Sequence, residues 1–145
     1  MQSSDLALML DQLMRRVHGG LQSRSAEFDT YRVGPLGGIV LMTLAEMGRT
    51  RLSELTQRVA RDKSQMTRAM HGLEAKGLVT RTASEADARV SLVELTPLGQ
   101  DVVMGLKQAV VEVIGELLKP ISRDEEAQLT ELLSRVLEPG KDANP

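Results

Sequence analysis

Apolar residues recur along most of the chain at steps of three and four positions, which is the spacing of one face of an α-helix. Two such stripes lie in residues 5–26 and 34–47. Two more lie at about 97–119 and 123–138, and a capping-box pattern precedes the last one. The chain is therefore predicted to be mainly α-helical.

The pattern changes in the middle of the chain. Two short amphipathic segments, 53–60 and 63–77, are separated by a tight break, and Ser53 is placed to cap the first. Two β-prone segments, 78–82 and 90–95, follow with a polar turn between them. Helix, turn, helix and hairpin in this order predict a winged helix-turn-helix lobe over about residues 34–96.

The second short helix is expected to bury Met66, Met70 and Leu73. The side chains that project from its other faces are those of Ser64, Gln65, Thr67, Arg68 and His71. Such a helix can enter a major groove, where Gln pairs with adenine and Arg with guanine, while Ser and Thr suit phosphate. The alternative is that these residues form only the solvated face of a helix.

The hairpin carries a second candidate contact. Arg89 lies at its foot beside Asp87, and an arginine on a wing can enter a narrow minor groove. Asp87 would repel phosphate, so it is expected to brace Arg89 or a loop amide. The alternative is an exposed turn pair worth under about 1 kcal/mol. Arg81, on the first strand, either touches the DNA backbone or faces water.

Charge is distributed unevenly around this lobe. Residues 49–89 hold nine basic and five acidic side chains, a net charge of +4, within a chain whose total is −2. A basic segment in an acidic chain is typical of a local nucleic-acid surface, although a chance cluster on a solvated face remains open.

The terminal helices, at about 5–26 and 97–138, carry more apolar face than they can cover for one another. A two-fold dimer is the commonest way to bury such a surplus, so these helices are predicted to dimerise. The alternative is a monomer in which they cover one face of the winged lobe. In either case residues 1–145 are expected to form a single domain.

Composition excludes several other classes of protein. The chain has no cysteine, no glycine-rich phosphate loop and only two histidines, so no enzyme activity, metal or cofactor is expected. It has no span long enough for a membrane and no basic region before an apolar leader, which favours a cytoplasmic protein. A ligand pocket, if present, is expected to use His18, Tyr31 or Arg32.

Residues 52–99 resemble the MarR family of bacterial winged-helix transcription regulators. The motifs that carry the resemblance are Ser64-Gln65-Met66-Thr67-Arg68, Leu73-Glu74-Ala75-Lys76-Gly77-Leu78-Val79, Asp87-Ala88-Arg89 and Thr96-Pro97-Leu98-Gly99. The resemblance implies a homodimer with interlocked terminal helices, two winged lobes on a palindromic duplex DNA site, and a small anionic or phenolic effector. A winged-helix module that binds protein and not DNA is the alternative.

The chain departs from the family pattern at two positions. Ala88 and Gly72 stand where basic residues are usual, which implies fewer DNA contacts. The lack of cysteine also excludes the chemistry of the family's peroxide-sensing branch.

Overall fold

The computed structural model describes residues 3–138 and shows six helices and three short strands. The helices are α1 (Ser3–Phe28), α2 (Gly34–Met47), α3 (Leu52–Val59), α4 (Lys63–Ala75), α5 (Pro97–Leu117) and α6 (Arg123–Leu137); the strands are β1 (Thr50–Arg51), β2 (Val79–Ala83) and β3 (Ser91–Leu95). The predicted mainly helical fold with a β-hairpin wing is confirmed. The ends of the predicted 1–145 domain, before Ser3 and after Glu138, lie outside the described residues.

The chain divides into two compact units, and the boundary falls within α5, between Val110 and Val111. The first unit holds α1 to α4, the sheet and the beginning of α5. The second holds the end of α5 and α6. The winged lobe therefore lies wholly within the first unit.

An aliphatic core closes the winged lobe. The predicted inner face of α4 is confirmed, because Met66, Met70 and Leu73 are each at most 2% exposed. The side chains that complete this core come from the other elements of the lobe and from α5: Val40, Leu41, Leu44, Leu55, Leu78, Val79, Val93, Val103 and Leu106. Full burial of one such side chain stabilises the fold by about 1.5–3 kcal/mol, so this cluster holds the helices and strands of the winged lobe together.

The three strands form an antiparallel sheet in the order β1-β3-β2. The predicted hairpin is β2 with β3, in a register that places Arg81 opposite Val93. β1 was not predicted from the sequence, because two residues carry no period-two pattern that could reveal a strand. It pairs with β3 through Thr50 and Val93 and so links the start of α3 to the wing.

The helix caps differ in part from expectation. The predicted cap at Ser53 is wrong: α3 begins at Leu52, and its N-cap is Arg51, whose extended backbone continues directly from β1. α4 begins where predicted and is capped by Asp62, whose Oδ1 accepts a hydrogen bond from the Gln65 backbone N–H at 2.8 Å. It ends two residues earlier than predicted, at Ala75.

The start of α5 is held against the end of α4 by a close backbone contact at Gly99. The Thr96 hydroxyl donates to the Gly77 carbonyl at 2.6 Å and accepts from the Gly99 N–H at 3.0 Å. The Thr96 N–H donates to the Leu78 carbonyl at 3.0 Å. A Cβ added at Gly99 would collide with that same Leu78 carbonyl.

Gly99→Ala is therefore expected to lower the free energy of unfolding by about 1–3 kcal/mol, because the obstructing atom is hydrogen-bonded backbone and cannot move aside. Denaturant titration at one fixed protein concentration measures the change. The matched control is Gly105→Ala in the same helix, where a Cβ meets nothing within 4 Å. That variant should be as stable as the parent or gain up to about 1 kcal/mol. Equal stability of the two variants would contradict the close contact.

Candidate nucleic-acid interface

The outer face of α4 presents three predicted contact residues in one stripe. Since a helix repeats every 3.6 residues or so, Ser64, Arg68 and His71 fall on the face opposite its buried methionines. All three are exposed. The stripe is thus free to approach a partner while the inner face holds the helix in the lobe.

The two remaining α4 candidates flank this stripe. Gln65 and Arg68 line a groove towards α2, and Thr67 lines a second groove towards α3. The Thr67 hydroxyl already donates to the Lys63 carbonyl at 2.8 Å, so its proton is engaged within the helix. A phosphate, which requires a hydrogen-bond donor, would have to displace that bond.

The turn between α3 and α4 fixes the direction of the recognition helix. α3 is followed by its C-cap residue Ala60, which adopts the left-handed conformation (φ 58°, ψ 40°) and donates its N–H to the Thr56 carbonyl at 3.0 Å. Asp62 then caps α4 directly. The connection is only three residues long, so it leaves α4 little freedom relative to α3.

The tip of the wing is organised around Asp87. Its Oδ1 accepts from the Arg89 backbone N–H at 3.0 Å and from Arg89 Nε at 3.1 Å, and its Oδ2 accepts from Arg89 Nη2 at 3.2 Å. The Arg89 side chain is nonetheless 91% exposed. Asp87 thus braces Arg89, in the way expected from the sequence, and leaves its guanidinium accessible.

This brace persists at neutral pH. Hydrogen bonds from the side chain and then the backbone of Arg89 hold the pKa of Asp87 below its usual value. A carboxylate with a lowered pKa stabilises the folded wing at neutral pH, and that contribution is lost only as the pH falls through the lowered value.

Arg81 has a partner that the sequence analysis missed. Its Nε lies 3.0 Å from Glu74 Oε1, and its Nη2 lies 3.5 Å from Glu74 Oε2. Arg81 is on β2 and Glu74 is in the last turn of α4, so this contact joins the wing to the recognition helix. Glutamate and arginine are common on protein surfaces, and these two lie on different elements, so neither the period of α4 nor that of β2 relates them. Only the turn at residues 76–78 brings them together.

A cavity of about 420 Å³ lies within the first unit, lined by residues of α1, α2 and α5 and of the turn after α1. His18 lines this cavity, as predicted, together with Gln22, Phe28 and Ile39. Its walls are mostly apolar. A cavity of this size can hold a small molecule of about one or two rings.

The other two residues predicted for a pocket do not reach this cavity. Tyr31 is 39% exposed, and Arg32 lines a separate shallow depression. Both belong to the turn between α1 and α2, where Arg32 has a positive φ of 54° and its carbonyl accepts from Lys76 Nζ at 2.8 Å. Neither residue is therefore among those that line the cavity between α1, α2 and α5.

Residues 3–138 hold neither a candidate metal site nor a candidate membrane span. Within that range no three histidine, aspartate or glutamate side chains are grouped so as to hold a metal ion. Over the same residues no helix is long and apolar enough to cross a membrane.

Comparisons with known proteins agree with this geometry. A model of the MarR family matches residues 39–91, which span most of the winged lobe. The HTH-type transcriptional regulator YxaD of Bacillus subtilis is 35% identical over 98 residues, which are 68% of each chain. A probable transcriptional regulator from Pseudomonas aeruginosa has a similar structure at 25% identity, with a TM-score of 0.68 and coverage of 90% of this chain and 95% of that one. A mutant MarR from E. coli is similar at 27% identity, with a TM-score of 0.75 over 94% and 97% of the two chains.

Proposed function

The chain belongs to the MarR family of transcription regulators, and we propose that it acts as a homodimer that binds a palindromic duplex DNA operator in a sequence-specific manner. The observation that carries this proposal is the exposed stripe of Ser64, Arg68 and His71 on a helix whose other face is locked into the core. A helix anchored in this way can present fixed side chains to base edges. The family's members are regulators of transcription and not enzymes. The proposal places the protein in the cytoplasm, with the DNA it binds.

Charge supports DNA as the partner of this surface. Residues 49–89 have a net charge of +4, whereas the whole chain has a net charge of −2. Arg68 and the basic residues Arg61 and Lys63, which flank the start of α4, are exposed. Arg89 projects from the wing at the other end of the lobe's basic segment. The lobe thus offers a helix for the major groove and an arginine for the minor groove.

Uncovered apolar faces on the terminal helices support the dimer. α1 has no buried residue, and its predicted stripe includes Leu6 at 53%, Met9 at 54% and Leu10 at 46% exposure. α6 likewise leaves Leu132 and Val136 exposed. Isolated exposed leucines are ordinary, but continuous helical faces of this kind mark an interface. A second copy of the chain supplies matching faces in a two-fold arrangement.

We expect the protein to bind duplex DNA with an affinity that falls steeply with salt, despite its acidic pI of about 5.7. Each phosphate neutralised by a lysine or arginine releases counterions and contributes about −0.9 to the slope of log affinity against log salt. A gel shift on fragments of the source genome at about 50 and about 200 mM salt measures this slope. Binding that is flat with salt, or absent from every fragment, would instead favour a protein-binding winged helix.

We further propose that a small effector binds in the α1–α2–α5 cavity. Ser25, Thr43 and Asp29 line it, but the two hydroxyls donate to the Gln22 and Ile39 carbonyls and the carboxylate accepts from backbone N–H groups. His18 and Gln22 are then the side chains best placed to bond a ligand. The lining includes a carboxylate and no lysine or arginine. This chemistry favours the phenolic over the anionic alternative.

Thermal shift assays with phenol and with benzoate test this preference, because the two probes differ mainly in charge. Phenol is expected to raise the melting temperature more than benzoate, since only a ligand that binds the folded state stabilises it. A His18→Ala variant should lose part of the shift. If benzoate raised the melting temperature as much as phenol or more, the proposed effector would be an anion instead.

A further inference from the structure

We propose that Arg81 is a positioning residue: its ion pair with Glu74 sets the direction of the wing relative to the recognition helix, and so controls how well Arg89 reaches the minor groove. This inference rests on the proposed DNA-binding function. It assigns Arg81 a role different from direct contact with the DNA backbone, and it gives Glu74 a role in binding.

The register of the hairpin places the exposed Arg81 on the same face of the sheet as two buried valines. Residues directly opposite in an antiparallel pair share a face of the sheet, and the residue opposite Arg81 is Val93, which is fully buried. Val79, two positions before Arg81 on the same strand, is also buried. The Arg81 side chain thus starts from the face of the sheet that packs on the core.

The geometry of the pair suits a fixed link. Arg81 Nε lies 3.0 Å from Glu74 Oε1 as an ion-pair contact, and Nη2 donates to Oε2 at 3.5 Å. Oε1 is buried and accepts no hydrogen bond from the described residues, so its charge is offset by this ion pair. The two side chains are only 32% and 27% exposed, whereas the Arg89 side chain on the same wing is 91% exposed. Two contacts between one guanidinium and one carboxylate restrain orientation as well as distance. The Arg81 pair therefore links the wing to α4, whereas the pair of Arg89 with Asp87 lies within the wing.

The pair spans the one connection between α4 and the wing. Between Glu74 and Arg81 the chain passes Gly77 at a φ of +73°, and then enters β2 at Val79. The turn is anchored on its other side, where the Thr96 hydroxyl donates to the Gly77 carbonyl. The ion pair adds a side-chain link across the turn, so the hairpin cannot rotate about its base without breaking it.

Neutralising Glu74 separates the two roles of Arg81. If Arg81 contacted phosphate, Glu74 would compete for it and would repel the DNA, so Glu74→Gln would strengthen binding. If the pair positions the wing, Glu74→Gln and Arg81→Gln both release the same link. Both variants must then weaken binding to a similar extent, although their charge changes are opposite.

The test uses the full-length protein and a duplex that the parent selects from a random library, with A·T-rich and G·C-rich flanks. Glu74→Gln, Arg81→Gln and the double variant are each expected to lose affinity by about two- to tenfold, with no further loss in the double variant. The loss should be larger on the A·T-flanked duplex, and the salt slope should stay at the parent's value. The control is Glu85→Gln, an exposed wing glutamate, which should bind as well as the parent or better.

A second measurement needs no DNA. Hydrogen exchange of the wing-loop amides at residues 84–90 should accelerate in both single variants, while the amides of α4 keep the parent's protection. The proposal is overturned if Glu74→Gln binds as tightly as the parent while Arg81→Gln weakens binding and reduces the salt slope by about 0.9. It is also overturned if wing exchange is unchanged. If the parent selects no duplex at all, the proposed function fails, and the exchange rates alone decide whether the link positions the wing.

Discussion

Replacing Leu10 with glutamate is expected to convert the proposed dimer into monomers. Leu10 lies on the apolar stripe of α1 and is 46% exposed in the single chain, so the proposed dimer would cover it further. Two-fold symmetry places the substitution in the interface twice. Losing the remaining burial of two leucines removes about 1.5–3 kcal/mol, which raises the dissociation constant of the proposed dimer by about ten- to a hundredfold, and two buried carboxylates raise it further.

Light scattering across a dilution series measures this change. The parent should show twice the chain mass of 15.9 kDa at micromolar concentration, and Leu10→Glu should approach the chain mass itself. The control is Gln12→Glu, which adds the same charge on a different face of the helix and should leave the dimer intact. A cooperatively folded parent that already weighs 15.9 kDa would rule out the proposed dimer.

Arg68→Ala is expected to weaken operator binding by about 1–3 kcal/mol per half-site and to relax the preference at one base pair in each. The reason is its place on the exposed stripe of α4, where an arginine can bond a guanine edge. A binding titration on a library of sites measures both effects. Melting temperature should hardly change, because the side chain is outside the core.

Arg89→Ala should weaken binding in a different way. Its side chain projects from the wing, so its loss is expected to blunt the preference for A·T-rich flanks and leave base-pair specificity in the half-site intact. Arg123→Ala, at the start of α6 and outside the lobe, removes the same charge and serves as the control for both variants. If Arg68→Ala and Arg89→Ala bind like the parent, the docking inferred for the helix and wing is wrong. If both melt far below the parent, these arginines are structural.

The structure also explains two glycines in the motifs that the sequence shares with the MarR family. The Thr96-to-Gly99 motif is recognisable from the sequence as the start of a helix. The structure adds that position 99 must be glycine, because a Cβ there would collide with the Leu78 carbonyl. Gly77 lies two residues after the end of α4 and permits the positive φ of the turn into the wing. Each residue thus positions α4, the hairpin and α5 with respect to one another.

The sequence by itself determined the helices, the hairpin and the buried face of α4, because these depend on periodicity and on neighbours close along the chain. The sequence likewise predicted a capping box at Ser122 and Glu125, and the structure confirms it. The brace from Asp87 to Arg89 also lies within three residues. In each case the interacting groups are held together by a single turn of backbone.

Only the tertiary structure decided which distant groups meet. It paired Arg81 with Glu74, placed Thr50 beside Val93, and separated Tyr31 and Arg32 from the cavity that His18 lines. No periodicity predicts these outcomes, since they depend on the angle at which one element leaves a turn and packs on the shared core. That angle is set by the sum of many buried contacts, whereas a pattern of apolar positions specifies only which face of each element is buried.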